Sequence, residues 1–256
     1  MADQKHLEEF MEFLSIPSVS ALPDHKDDMR RAAAWLADRM KRAGIDGVEI
    51  IETKGHPVVF GRKEAPVANA PTVLIYGHYD TQPADPLNEW VSEPFKPEIR
   101  DGKIYARGSS DDKGGVFPAI LAAEEVIGRG ELTVNLEFLF EGEEEIGSPN
   151  LKELLIARKE DFKSDLVVSV DGGMYSVDTP SLTVGCRGLA AVQIEVTGPR
   201  TDIHSGQGGN IANPIQALAQ ILAGMKGPDG TILIEGFYED VAEPSPMEKE
   251  AMATVP

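Results

Sequence analysis

The chain predicts an α/β fold, a largely parallel sheet flanked by helices, followed by the start of a smaller α+β lid or dimerisation domain. Three observations carry that expectation. From residue 72 to 173 apolar strand-like runs alternate with helical periodicities in the order β-α-β-α-β. The runs are continuously apolar, as strands covered on both faces are. After about residue 184 the texture changes to alternating segments around one short apolar helix, so the expected boundaries are 1–184 and 185–256.

Leu7, Phe10, Met11 and Leu14 recur at helical spacing, which predicts an amphipathic helix over 3–15. A second helix is expected over 27–43, with Asp27 and Asp28 opening it and Gly44 placed to end it. "VEIIE" and "HPVVFGR" read as strands, and the Pro- and Ala-rich stretch 63–71 as a loop. Then follow a strand at 72–77, a helix at 112–130 loosened in its first turn by Gly114 and Gly115, a strand at 133–142, a helix at 150–162 and a strand at 165–173. In the second domain, 181–199 suggests a strand, a turn and a longer strand, 213–225 a helix, and 230–237 a further strand.

The formal charge of −19 argues against nucleic acid or an anionic membrane as partner, because both would repel such a surface. Cys186 is the single cysteine, so no internal disulfide is possible and a cytoplasmic location fits best. The N-terminal residues lack the basic and apolar regions of a secretory signal, and no apolar run is long enough to span a bilayer.

The chemistry gathers at the strand ends. His78 and Asp80 follow the first strand of the β-α-β-α-β series, Glu141, Glu143, Glu144 and Glu145 the second, and Asp171 the third; Asp111 and Asp112 open the intervening helix. In open α/β sheets ligands bind outside the carboxyl ends of the strands. Taken singly, each group has an ordinary reading: a turn histidine, a solvated acidic face, a helix N-cap, a strand-ending turn. Together on one rim they point to a divalent cation, since crowded carboxylates otherwise repel and raise one another's pKa. A histidine among carboxylates suits zinc, with manganese or cobalt as alternatives. Asp80 is then expected to bond the other ring nitrogen of His78 rather than the metal.

"GHYD", "RGSSDDKGG", "EGEEEIGS", "SVDGG" and "DIHSG" occur in that order. Together they resemble the metallopeptidase family of carnosinases, cytosolic nonspecific dipeptidases, succinyl-diaminopimelate desuccinylase, acetylornithine deacetylase and glutamate carboxypeptidase. The similarity runs from about residue 7 to the end, and residues 90–115 lean toward the dipeptidase branch. The resemblance implies two divalent metal ions, with His78 a ligand of one, Asp111 bridging both, Asp171 completing the first shell and Glu145 serving the second. It implies Glu144 as general base, Asp80 as the residue orienting His78, and Glu143 as a bystander. His204 resembles a histidine that reaches a partner subunit's site. A cis peptide between Asp111 and Asp112 and a homodimer formed through the second domain, with 190–198 as edge strand, are implied as well.

The implied activity is hydrolysis of a dipeptide. Deacylation of an N-acyl amino acid by the same site, or a binding module on an unfinished site, are the alternatives. The family completes its second metal site with a further histidine, and of His6, His25, His56, His78 and His204 none fits that position. The resemblance therefore implies that these residues are part of a larger molecule, holding one metal well and the second poorly.

Overall fold

The structure, a computed structural model, describes residues 4–183 and 185–254. Two compact units divide the chain, Met1–Val184 and Gly185–Pro256, and each is described by itself. Asp3 of the first expected helix and Val184 of the expected strand after 181 lie outside the described residues.

The first unit begins with α1 (Gln4–Leu14) and α2 (Lys26–Arg42), then β1 (Asp46–Ile51), β2 (Val58–Lys63) and β3 (Thr72–His78). A small hairpin follows, β4 (Glu98–Arg100) and β5 (Lys103–Tyr105), and then α3 (Lys113–Arg129), β6 (Asn135–Glu141), α4 (Leu151–Ala157) and β7 (Leu166–Ser169). The five-stranded sheet has the order β1-β2-β6-β3-β7. β6, β3 and β7 pair in parallel, whereas β2 runs antiparallel to both β6 and β1. Four strands thus share one direction and β2 alone opposes it.

Helices cover both faces of the sheet. On one, α1, α2 and α3 bury Phe13, Leu36, Met40 and Ile120 against Phe138 and Phe140 of β6. On the other, α4 places Leu151, Leu154 and Leu155 over Phe60, Leu74 and Leu139. The period-2 alternation of a strand sends Leu139 one way and Phe138 and Phe140 the other, which is why β6 carries apolar side chains on both faces at 138–140.

Two buried cations tie the first layer together. Arg39, only 1% exposed, pairs with Glu9 of α1 and Glu124 of α3. Lys113 is fully buried and donates to the carbonyls of Phe13 (3.0 Å) and Ile16 (2.7 Å), joining the end of α1 to the start of α3. The glycines after it do not loosen the helix. A Cβ on Gly115 would lie 2.2 Å from both the Val170 carbonyl and Asp112 Oδ1, so glycine lets the first turn of α3 rest on the chain leaving β7.

Three expectations differ from the structure. The helix expected to reach 162 ends at Ala157, where Arg158 turns back to bond Asp161 and Phe162 packs edge-on to Phe60. The β4–β5 hairpin was not expected, although its Asp101-Gly102 turn, with φ of 49° and 73°, is a strong hairpin signal. In the second unit neither 181–199 nor 230–237 forms a strand among the described residues. A strand needs a ladder partner; the second segment has only the isolated bridge Lys226↔Ile232 and closes a tight loop through Gly230. The unit does hold α5 (Pro214–Gly224), capped by Asn213, and α6 (Pro246–Ala253), opened by a Ser245–Glu248 capping box. No helix among the described residues is long and apolar enough to cross a membrane.

Phe138→Ala is expected to destabilise the first unit by about 3–5 kcal/mol, read from chemical denaturation. Val91→Ala, at a residue 87% exposed, should stay within about 0.5 kcal/mol of the parent chain.

Candidate metal centre

Parallel pairing builds the site. β3 and β6 run in register so that His78 lies opposite Glu141, and Val170 N–H donates to the Tyr76 carbonyl just past β7. The ends of three strands therefore come out on one edge. His78 is carried by β3, Glu144 by the turn after β6, and Asp171 by the chain after β7. The contact of α3 with Val170 brings Asp111 and Asp112 to the same edge. The Asp111–Asp112 peptide is cis.

His78 is completely buried, and its Nε2 faces three carboxylates. Asp111 Oδ1 lies at 3.0 Å, Asp171 Oδ2 at 3.8 Å and Glu144 Oε2 at 3.9 Å. On the far side of the ring, Nδ1 lies 3.1 Å from the Asp80 carbonyl oxygen and 3.3 Å from its carboxylate. Asp80, also fully buried, accepts two backbone N–H groups, from Glu144 (3.2 Å) and Glu145 (3.1 Å). One carboxylate thus holds both the imidazole and the turn that carries Glu144. Asp112 is buried too, its Oδ2 accepting the backbone N–H of His78 at 3.1 Å.

Electrostatics follows from this crowding. Burial pushes the His78 imidazolium down, but the bond to Asp80, with the charges of Asp80, Asp112 and Glu144, overcomes it and holds the pKa at about 10. Burial pushes Asp112 up to about 7. Glu144 is raised chiefly by burial, with Asp171, Glu145 and Asp80 adding to the shift and His78 opposing it. Without a cation the imidazole carries a proton on each nitrogen to satisfy the acids around it.

A divalent cation fits the same donors. Ligand atoms of His78, Asp111 and Asp171 all lie within 4.8 Å of one another. With Nδ1–H fixed on Asp80, Nε2 is the free donor, which is the usual second-partner arrangement for a metal-binding histidine. Nitrogen plus carboxylate donors suit a first-row divalent ion.

The structure thus gathers His78, Asp80, Asp111, Glu144 and Asp171. Glu145 stands apart from the three-ligand group, its Oε2 accepting the amide of Gln82 at 2.8 Å. His204 belongs to the second unit, where its Nδ1 accepts the Gly206 N–H at 3.1 Å. Glu141, one of the acids expected at the rim, instead accepts the hydroxyls of Tyr76 (2.7 Å) and Ser148 (2.9 Å). The sequence places Asp112 among the rim acids and in the cis peptide, but does not show that it turns inward to the His78 backbone. Gly114-Gly115, one residue further on, was the available signal, since a Cβ on Gly115 would lie 2.2 Å from Asp112 Oδ1.

Residues 74–251 match the profile of Peptidase family M20/M25/M40. The chain belongs to this family. It is 36% identical over 256 residues to a Cys-Gly metallodipeptidase of Candida albicans, covering 93% of this chain and 53% of that protein. It is 34% identical to the Beta-Ala-His dipeptidase of Mus musculus, over 95% of this chain and 54% of the relative. Among solved structures, an M20 family metallo-carboxypeptidase from Sulfolobus solfataricus superposes with a TM-score of 0.74 at 34% identity, covering 98% of this chain and 56% of the other. The chain spans about half the length of the curated relatives it matches.

The raised pKa of His78 makes metal loading proton-coupled. In the metal-free chain its second proton stabilises the fold fully below about pH 6.5, and that contribution is lost as pH rises through about 10. Titration with Zn²⁺ at pH 7 is expected to release at least one proton, and affinity should rise about tenfold per pH unit for each proton displaced. Calorimetry in buffers of different ionisation heat checks this. Tight binding without proton release would count against the arrangement.

Proposed function

We propose that this chain contributes the metal centre of a metal-dependent hydrolase that cleaves the amide bond of dipeptides or short peptides. The observation that carries this reading is the buried His78, held from behind by Asp80 with its Nε2 turned to Asp111 and Asp171. Membership of the family supports it, as do relatives named as dipeptidases of Cys-Gly and β-Ala-His substrates.

A divalent cation at these residues would supply the positive charge that polarises an amide carbonyl and acidifies a water molecule. Zinc suits the donors best, with manganese or cobalt as alternatives. Glu144 is the general base: its carboxylate is partly exposed, sits at the same rim and has a raised pKa, so it can take a proton from water and return it to the leaving amine. Asp80 holds His78 in orientation throughout.

The family resemblance supports Asp111 as a bridge to a second cation, with Glu145 beside it, and His204 as a donor to the carbonyl oxygen from a paired subunit. It equally supports a homodimer through the second unit. The single cysteine supports a cytoplasmic setting.

Among the described residues only one three-ligand group exists, so the 256-residue chain is expected to hold one zinc per chain tightly. Turnover of Cys-Gly or β-Ala-His by the chain alone should be slow and lost on chelation. Glu144→Gln should lower that turnover by a further factor of about 10²–10⁴ while leaving the metal content unchanged. Metal analysis beside a dipeptide assay decides. A chain that binds no zinc, or hydrolysis indifferent to chelator, would sink the reading, and preference for N-acetyl or N-succinyl amino acids would redirect it to deacylation.

A further inference from the structure

The acidic run Glu141–Glu145 contains a residue that neither the sequence nor the proposed reaction uses. Glu143 sits between Gly142 and Glu144 yet is only 4% exposed. No cation pairs with it among the described residues. Its carboxylate instead accepts from two neutral donors: the backbone N–H of His56 at 3.1 Å, and Asn150 Nδ2, which lies 3.0 Å and 2.9 Å from its two oxygens. The loop opposite is shaped to receive it. A Cβ on Gly55 would lie 1.8 Å from Glu143 Oε1 and 2.8 Å from Asn150 Nδ2, so only glycine permits the seat. Glu143 also closes the turn from its own backbone, its carbonyl accepting Ile146 N–H (3.2 Å) and Ser148 N–H (2.8 Å).

We propose that Glu143 is a positioning residue: by locking into the 55–56 loop and the start of α4, it fixes the turn that presents Glu144 and Glu145. The consequence reaches His78 in two bonds. The turn donates its Glu144 and Glu145 N–H groups to Asp80, and Asp80 in turn holds Nδ1 of His78. If Glu143 lets go, the turn shifts, Asp80 loses the donors that orient it, and the imidazole loses its fixed bearing on Asp111 and Asp171. Acids at 143 and 144 thus have opposite orientations and separate tasks. The link from turn to metal rests on the proposed metal-dependent reading; the link from Glu143 to the turn does not.

The chemistry of the seat supplies a reversible test. Every partner of the carboxylate is a donor, so Glu143→Gln sets an amide N–H₂ against the Asn150 N–H₂. Adding Asn150→Asp to it reverses that pair, with the glutamine amide now donating to the new carboxylate and its oxygen still free for His56 N–H. Hydrogen exchange is followed on the metal-free 256-residue chain, and Co²⁺ affinity by visible absorption on the same proteins.

For Glu143→Gln, amides of 143–148 are expected to exchange at least about tenfold faster while those of β6 keep their rate, as local rather than global opening requires. Co²⁺ affinity should fall by about 10- to 100-fold, the range for loss of a residue that supports a metal ligand. Addition of Asn150→Asp should bring both back to within about threefold of the parent. Unchanged exchange in 143–148, uniform acceleration that includes β6, unchanged Co²⁺ affinity despite a loosened turn, or failure of the reversed pair to recover would each overturn the proposal. A parent chain that takes up no Co²⁺ would overturn the metal reading instead, and exchange alone would then judge Glu143.

Discussion

The site depends on one buried carboxylate. Asp80 is taken fully out of water, a placement that is unfavourable unless every lone pair finds a donor. It finds three, the imidazole of His78 and the N–H groups of Glu144 and Glu145. Hydrogen bonds to an ionised group contribute about 1.5–3 kcal/mol each, and their geometry matters as much as their strength. Because the acceptor is shared, the end of β3 and the turn after β6 cannot move independently. Around that joint the remaining acids distribute themselves: Glu141 and Glu143 turn inward to neutral donors, while Glu144, Asp111 and Asp171 stay at the rim.

Parallel pairing explains why the joint lies where it does. β3, β6 and β7 end on the same edge, so three chain segments leave the sheet side by side. The reversal at β2 adds sheet width without bringing another carboxyl end to that edge. A fold of this kind concentrates polar loops at one side and leaves the other faces to helices, which is how a strongly acidic chain can still bury Phe13, Phe138 and Phe140 at no exposure at all.

Much of this was legible in the sequence. Continuous apolar runs located β3 and β6, helical spacing located α1 to α3, and the order of His78, Asp111, Glu144 and Asp171 behind successive strands predicted their meeting. What stayed hidden shares a cause. The inward orientation of Glu143 depends in part on a donor 87 residues away, and the strands expected in 181–199 and 230–237 lack ladder partners among the described residues. Local pattern reveals what a segment prefers; these depended on what it meets. The β4–β5 hairpin is the exception, since Asp101-Gly102 announced it locally.

Lys113 gives the N-terminal helix a standing that its position would not suggest. The ammonium lies next in sequence to Asp112 and has as its oxygen partners the Phe13 and Ile16 carbonyls, with the Phe13 ring 4.8 Å away. Those residues form a floor beneath it, and a cation stripped of such a floor would have to lose its proton or drag water inward. The segment from Gln4 to Ile16 therefore belongs to the foundation of the candidate metal centre. Any change that unseats α1, from a charged insertion to a poorly chosen fusion joint, would be felt a hundred residues later at the loop carrying Asp111.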